Sequence, residues 1–395
     1  MALGTGILLA PGANAADKWG PGYLIPDSTG KPDRSHIGAY GPPGQALPGV
    51  TGVAYCADPE LDGPEAAGRY GPVKEYTSWT SKATGKEASA QDIARAAYVL
   101  SKYGNTTDDA QAAAVDAVVY SYLEAGTTYA LPNGERALQR LSYPGVAPSA
   151  KKQATEYMAE AAKFAGPYKV NIKPSEGTPK PGAKTTVTLD VTSAAGHKVP
   201  GVKLDLGLTG AGTSETTATT NAEGIATTTI TPAKAGTATL KATAESLPGN
   251  ALRAITPSNA KAQRMVLTGG TTSAHHQVQF QVDPLKGGIK IVKTAVDTGK
   301  TLAGVAFEIK DGQGKTAAAG KTDAAGVWQV KDLAPGSYTV HEVKAVEGYQ
   351  LAPDQTVTVG ADKTADIAVK DVKIPEPEKP KPRPVTIPVL PKTGL

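Results

Sequence analysis

The sequence predicts a multidomain chain, with an α+β N-terminal domain followed by two all-β modules and a Pro-rich tail. Three observations predict it. The 395 residues exceed one ordinary domain of ~100 to 200 residues. Forty-four Gly and 31 Pro against 5% aromatic residues favour small β modules joined by turns over one large, aromatic-rich enzyme core. The hydrophobic period also changes from 3.6 to 2 after Pro167.

The elements follow in order. Residues 1–16 read as the remnant of a signal peptide. Leu3 to Ala10 is a short apolar run and Ala13-Asn14-Ala15 a small-x-small cleavage site, although the basic front end is missing. Residues 17 to about 60 are rich in Gly and Pro and read as loop and short strand. Ile93, Ala96, Ala97 and Leu100 then recur at helical spacing after Ser89, and Gly104-Asn105 ends the run. A second helix opens at Thr107-Asp108-Asp109 and carries Val115, Val118, Val119, Tyr122 and Leu123. A third covers about 149–164, with Ser149 as its cap candidate. An α+β domain is therefore expected over 17–165.

Beyond it, Val187, Leu189 and Val191 alternate with polar residues. So do Val202, Leu204, Leu206 and Leu208, and again Ala238, Leu240, Ala242 and Ala244. Strands at this spacing describe an Ig-like antiparallel sandwich over 166–283. A second β module is expected over 284–374, with strands at 289–294, 303–309, 327–331, 337–344 and 364–372. In 375–389, Pro375, Pro377, Pro380, Pro382, Pro384 and Pro388 alternate with charged or β-branched residues. Pro fixes φ and removes a donor, so this stretch reads as a semi-rigid spacer at ~3.1 Å per residue.

Charge and motif content exclude several functions. Forty-one basic residues nearly cancel 37 acidic ones and are spread along the chain, so nucleic-acid binding gets no support. No stretch approaches the ~20 apolar residues of a membrane helix. No phosphate loop, Ser elbow or HExxH is present, and no cofactor is expected. His275-His276 would point to opposite faces of a strand, so no metal site is expected there.

The chain closes Leu390-Pro391-Lys392-Thr393-Gly394-Leu395. Residues 390–394 resemble the LPXTG sorting signal of Gram-positive surface proteins. That resemblance implies two partners, a sortase that cuts between Thr393 and Gly394 and the peptidoglycan that receives the threonine carbonyl. The family pattern continues with an apolar segment and a basic tail, so this sequence is expected to stop short at its C-terminus as at its N-terminus.

The last β module carries Lys293-Thr294-Ala295-Val296-Asp297-Thr298-Gly299, Leu302-Ala303-Gly304-Val305-Ala306-Phe307 and Thr322-Asp323-Ala324-Ala325-Gly326. Leu333-Ala334-Pro335-Gly336-Ser337-Tyr338 and Glu342-Val343-Lys344-Ala345-Val346-Glu347-Gly348-Tyr349 follow. Over about 90 residues these blocks resemble the B-type, prealbumin-like (SpaA-type) domain of Gram-positive adhesins and pilins. The resemblance implies a self-formed isopeptide bond between a first-strand Lys and a last-strand Asn or Asp, assisted by a Glu. Strand parity points the same way. Lys293 shares a face with Ile289 and Ile291, Glu342 with Tyr338 and Val340, and Asp371 with Ile367 and Val369. Three ionisable groups in one apolar core are costly unless they pair or neutralise, and burial favours the neutral amine and neutral acid that condensation needs. Lys293 and Asp371 are the expected crosslink and Glu342 its catalyst, the alternatives being a buried salt-bridge triad without reaction or strand ends at which these residues reach water.

The N-terminal domain has Tyr55-Cys56 and the helix Ala110-Gln111-Ala112-Ala113-Ala114-Val115-Asp116-Ala117-Val118-Val119-Tyr120. These resemble the thioester domains of Gram-positive adhesins, in which a Cys joins a Gln to capture surface nucleophiles. Where the family pattern has its helical Gln this chain has Asp116, and Gln111 lies about 140° around the helix. Cys56 is the single cysteine, and a buried thiol is the expectation for it. The sequence thus reads as an extracellular, wall-anchored adhesin or stalk with an undetermined surface or host ligand. Only autocatalytic crosslinking is expected of it. A secreted enzyme with its site in 17–165 and a pilin-type subunit are the alternatives.

Overall fold

The structure, a computed structural model, describes residues 19–32, 34–41, 52–211 and 214–377. The expected signal remnant, most of the Pro-rich spacer and the sorting motif lie outside the described residues. The chain divides into two compact units, Met1–Val282 and Asp283–Leu395. Most described elements are strands, with four α-helices among the described residues.

The first unit opens with β1 (Gly22–Ile25) and β2 (Ser35–Gly38), an antiparallel pair, then β3 (Ala54–Cys56) and β4 (Lys74–Tyr76). Helix α1 (Ala90–Tyr103) starts where Ser89 accepts the Asp92 amide, and Gly104 caps its end. Helix α2 (Asp109–Leu123) is capped by Asp108 on the Gln111 amide and is buried almost all round. Helix α3 (Glu135–Leu141) is followed by α4 (Pro148–Phe164). Ser149 is not the cap of α4. Ala147 holds that position with Pro148 at the first helical residue, where a missing N–H costs nothing.

Strands β5 (Lys169–Pro174), β6 (Thr185–Thr192), β7 (Lys203–Thr209), β8 (Ser214–Thr219), β9 (Ile225–Ile230) and β10 (Gly236–Pro248) follow. Then come β11 (Leu252–Ile255), β12 (Met265–Leu267) and β13 (Thr271–Val282). One sheet runs β5-β6-β9 and another β13-β10-β7-β8. Val187, Leu189, Leu204, Leu206, Leu240 and Ala242 share the core of these two sheets.

The expected boundary at 166–283 needs one correction. Strands β11 and β12 do not join the sandwich. They complete the sheet β3-β12-β11-β4, with Met265 opposite Cys56 and Leu252 opposite Tyr76. The chain leaves the sandwich after β10, supplies two strands to the helical part, and returns as β13 beside β10.

The second unit contains β14 (Gly287–Ala295), β15 (Ala306–Lys310), β16 (Thr316–Lys321), β17 (Val327–Leu333), β18 (Gly336–Lys344), β19 (Gln355–Val359) and β20 (Thr364–Asp371). Of these β16 and β19 were not expected from the sequence. The sheets are β17-β14-β20 and β16-β15-β18-β19. Ile289, Ile291, Phe307, Ile309, Val340 and Val369 share one core. First and last strands are neighbours and run parallel, with Lys293 opposite Val369 and Ala295 opposite Asp371.

Candidate functional site

The second unit brings together the three residues that strand parity aimed inward. Lys293 is fixed by main-chain bonds on both sides. Its N–H donates to Gly326 O at 2.9 Å and its carbonyl accepts from Leu302 at 3.0 Å. A Cβ on Gly326, whose φ is +73°, would lie 2.9 Å from that same carbonyl, so this turn requires glycine. Asp371 is held where its carbonyl accepts from Val296 at 2.9 Å. Glu342 enters from the facing sheet, opposite Phe307 on β15.

Lys293 and Asp371 are each 0% exposed and Glu342 is 3% exposed, so the triad is closed off from water. Lys293 Nζ donates to Glu342 Oε2 at 2.7 Å and to Asp371 Oδ1, and lies 5.6 Å from the centre of the Phe307 ring. The Ala352 N–H also donates to Glu342 Oε2, at 3.0 Å. Glu342 Oε1 and Asp371 Oδ2 are buried without a hydrogen-bond partner. Each is a buried acceptor short of a donor. Burial pushes the Glu342 carboxyl above its ordinary value, against the pull of Lys293 and the Ala352 amide. An amine, a carboxyl carbon and a proton-carrying acid in a dry core are the ingredients of amide condensation.

In the first unit Cys56 is 2% exposed, with its Sγ 3.7 Å from Met265 Sδ. Burial, and then the charge of Asp116, raise its thiol well above the ordinary value. The helical residues singled out by sequence go elsewhere. Gln111 Nε2 donates to the Tyr103 carbonyl at 2.8 Å. Asp116 is buried and pairs with Arg140 at 2.9 Å. Desolvation, only partly opposed by Arg140, raises its carboxyl to about 6.

A different glutamine shares the surroundings of Cys56. Both Cys56 and Gln263 line a cleft of about 490 Å³, together with Tyr40, Tyr120, His36 and Arg140. Gln263 precedes by two residues the Met265 that faces Cys56, which puts the two side chains on one face at the β3–β12 end. Its Oε1 accepts from Tyr120 Oη at 2.9 Å and from the Asp58 amide at 3.3 Å, and its Nε2 donates to Leu61 O at 3.2 Å. Sequence reasoning missed Gln263 because strand register, not local pattern, brings it to Cys56. Among the described residues no cluster of His, Cys, Asp and Glu could hold a metal ion.

Comparison with known proteins defines the class of both β modules. Residues 287–373 match the SpaA model, a prealbumin-like fold domain, and residues 169–257 match the bacterial Ig-like domain, group 1. No curated protein matches the sequence. Among solved structures, the chain is similar to the Bacillus anthracis TIE protein at 15% identity and a TM-score of 0.47. That likeness covers 82% of this chain and 60% of that one, so the chain spans about three fifths of its length. It is also similar to the minor pilin GBS52 of Streptococcus agalactiae, at 20% identity and a TM-score of 0.24, covering 56% and 94% of the two chains. The major pilin subunit of Bacillus cereus gives 16%, 0.25, 52% and 71%.

Proposed function

We propose that this chain is an extracellular surface protein of a Gram-positive bacterium, built as a load-bearing stalk and stiffened by a Lys293–Asp371 isopeptide bond. The observation that carries the reading is the water-free meeting of Lys293, Glu342 and Asp371 in a prealbumin-like core. Transfer of a proton from Lys293 Nζ to Glu342 leaves a neutral amine. That amine attacks Asp371 Cγ and the Nζ–Cγ bond forms. Glu342 relays to the departing oxygen both the proton it first took and the one the nitrogen sheds after attack, so that the Cγ–O bond breaks with loss of water. Ammonium and carboxylate become one amide and one water, with no oxidant and no net proton change. Phe307 and the apolar core keep competing water away.

The sorting motif 390–394 supports covalent anchoring by a sortase to peptidoglycan. Fractionating cells that express the natural full-length protein tests this: it is expected in the wall fraction, and Thr393→Ala should release it. Wall linkage of all the Thr393→Ala protein contradicts anchoring. We assign no turnover chemistry to the chain.

A second reading concerns the Cys56 cleft, where the position of Gln263 favours an internal thioester. The Cys56 thiol adds to the Gln263 side-chain carbonyl and ammonia leaves. Tyr120 Oη and the Asp58 amide, which already donate to that oxygen, stabilise the developing oxyanion. Such a bond makes the first unit an adhesive end able to capture a surface nucleophile. The Cys56 thiol titration set out in the Discussion tests it.

A further inference from the structure

Ten residues, 345–354, connect β18 to β19, and several of their groups bear on the Lys293 site. The Ala352 N–H donates to Glu342 Oε2 at 3.0 Å. Two residues earlier, the Gln350 N–H donates to the carbonyl of Val372, the residue after Asp371, at 2.9 Å. Tyr349 bridges Lys373, and the Ile374 N–H donates to Gly348 O at 2.8 Å. Asp354 closes the connection by meeting His341 Nδ1 at 2.6 Å, on the residue beside Glu342. Val346 and Ala352 pack onto the core. One connection is thus tied both to the carboxyl of Glu342 and to the chain end that carries Asp371.

We propose that connection 345–354 is a positioning element for crosslink formation, holding Glu342 in place through the Ala352 amide and the Asp354–His341 pair, and the chain end that carries Asp371 through the Gln350 amide. This rests on the isopeptide reading of the site. With Lys293 as its only donor, the Glu342 carboxyl could turn about its last bond. The second donor fixes Oε2 toward the amine and leaves Oε1 as the oxygen free to carry a proton. The outer pair has a different character. His341 and Asp354 side chains are 37% and 55% exposed, and exposed polar pairs of this kind contribute little to stability, so their loss should slow the reaction without unfolding the module.

The test follows crosslinking over time in newly synthesised full chain, by intact mass and peptide mapping, alongside protease resistance as a measure of folding. Asp354→Ala and His341→Ala should fold yet accumulate crosslink about tenfold more slowly, the effect of losing one positioning contact. His341→Lys, which places an N–H donor opposite Asp354, should restore the rate. Variants that keep pace with a crosslinking wild type overturn the positioning role and leave the isopeptide reading intact. A wild type that never crosslinks overturns both. Should the variants fail to fold, amide hydrogen exchange of the wild type decides: protection of Gln350 and Ala352 equal to that of β18 supports the proposal, and loop-like exchange overturns it.

Discussion

Lys293 and Asp371 lie 78 residues apart in sequence and meet across two neighbouring parallel strands, the first and last of their module. A lysine and an aspartate also meet elsewhere, with a different result. In the Ig-like module, Asn171 Nδ2 donates to Asp190 at 2.7 Å, and Lys198 lies 3.5 Å from the same carboxylate. That group is on the outer face of its sheet, with the Lys198 side chain 43% exposed, so water reaches the site and no condensation is expected. Burial, not the presence of Lys and Asp, separates the two sites.

Stretching should reveal the bond by what fails to extend. Force applied between the ends of the second unit enters at β14 and leaves at β20, and a Lys293–Asp371 link takes the residues between these two, 78 positions apart in sequence, out of the load path. Their contour length, about 270 Å at ~3.3–3.6 Å per residue, should be missing from single-molecule pulling curves. Lys293→Ala should recover it.

Thermal stability should follow the crosslink. Closing a loop of 78 residues is worth about 4–5 kcal/mol on the chain-entropy relation used for disulfides. Lys293→Ala should therefore lower the melting temperature of the second unit by roughly 20 °C or more. Glu342→Ala should give a folded but uncrosslinked module with a comparable loss. Calorimetry of the full chain checks both, and unchanged transitions would contradict them.

Acid stability of the first unit should depend on two buried groups that oppose each other. Burial, with help from the Arg140 charge, holds His36 at about 3, below its ordinary 6.5. Its contribution is complete above pH 6.5 and is lost as pH falls toward 3. Asp116, raised to about 6 from 3.8, contributes fully below 3.8 and loses that contribution as pH rises through 6. Between pH 6 and 4 the two offset one another. Asp116→Asn should remove the offset and make stability fall by about 2–3 kcal/mol more over that interval. Melting curves at pH 6, 5 and 4 measure it, and parallel pH profiles would contradict it.

Much of the site around Lys293 was legible because alternation along a strand is a local property. Counting by two from Ile291, Val340 and Val369 reaches Lys293, Glu342 and Asp371. The caps Ser89 and Asp108 were legible for the same reason, each standing just before a periodic apolar run. Other features had no local signal. Helix α3 is only seven residues long, too short to display a period. Strands β11 and β12 resemble their neighbours in the sandwich, yet pair with β4 and β3, far earlier in the chain. Gln263 therefore gave no hint of sharing a cleft with Cys56.

The cleft makes its own prediction. On the thioester reading, denatured wild-type protein shows no titratable thiol and its mass is lower by ~17 Da, the ammonia expelled on acyl transfer. Gln263→Ala should restore both thiol and mass, whereas Gln111→Ala should change neither. A thiol that titrates fully in denatured wild-type protein would contradict the reading and leave Cys56 a buried core residue.

Tandem mass spectrometry of a tryptic digest of the wild-type chain tests the central claim most directly. A single branched species is predicted in which the peptides containing Lys293 and Asp371 are joined, ~18 Da lighter than their sum through loss of one water. Recovery of those two peptides separately, each at its unmodified mass, would contradict the bond and leave Lys293, Glu342 and Asp371 as an unreacted buried ion triad.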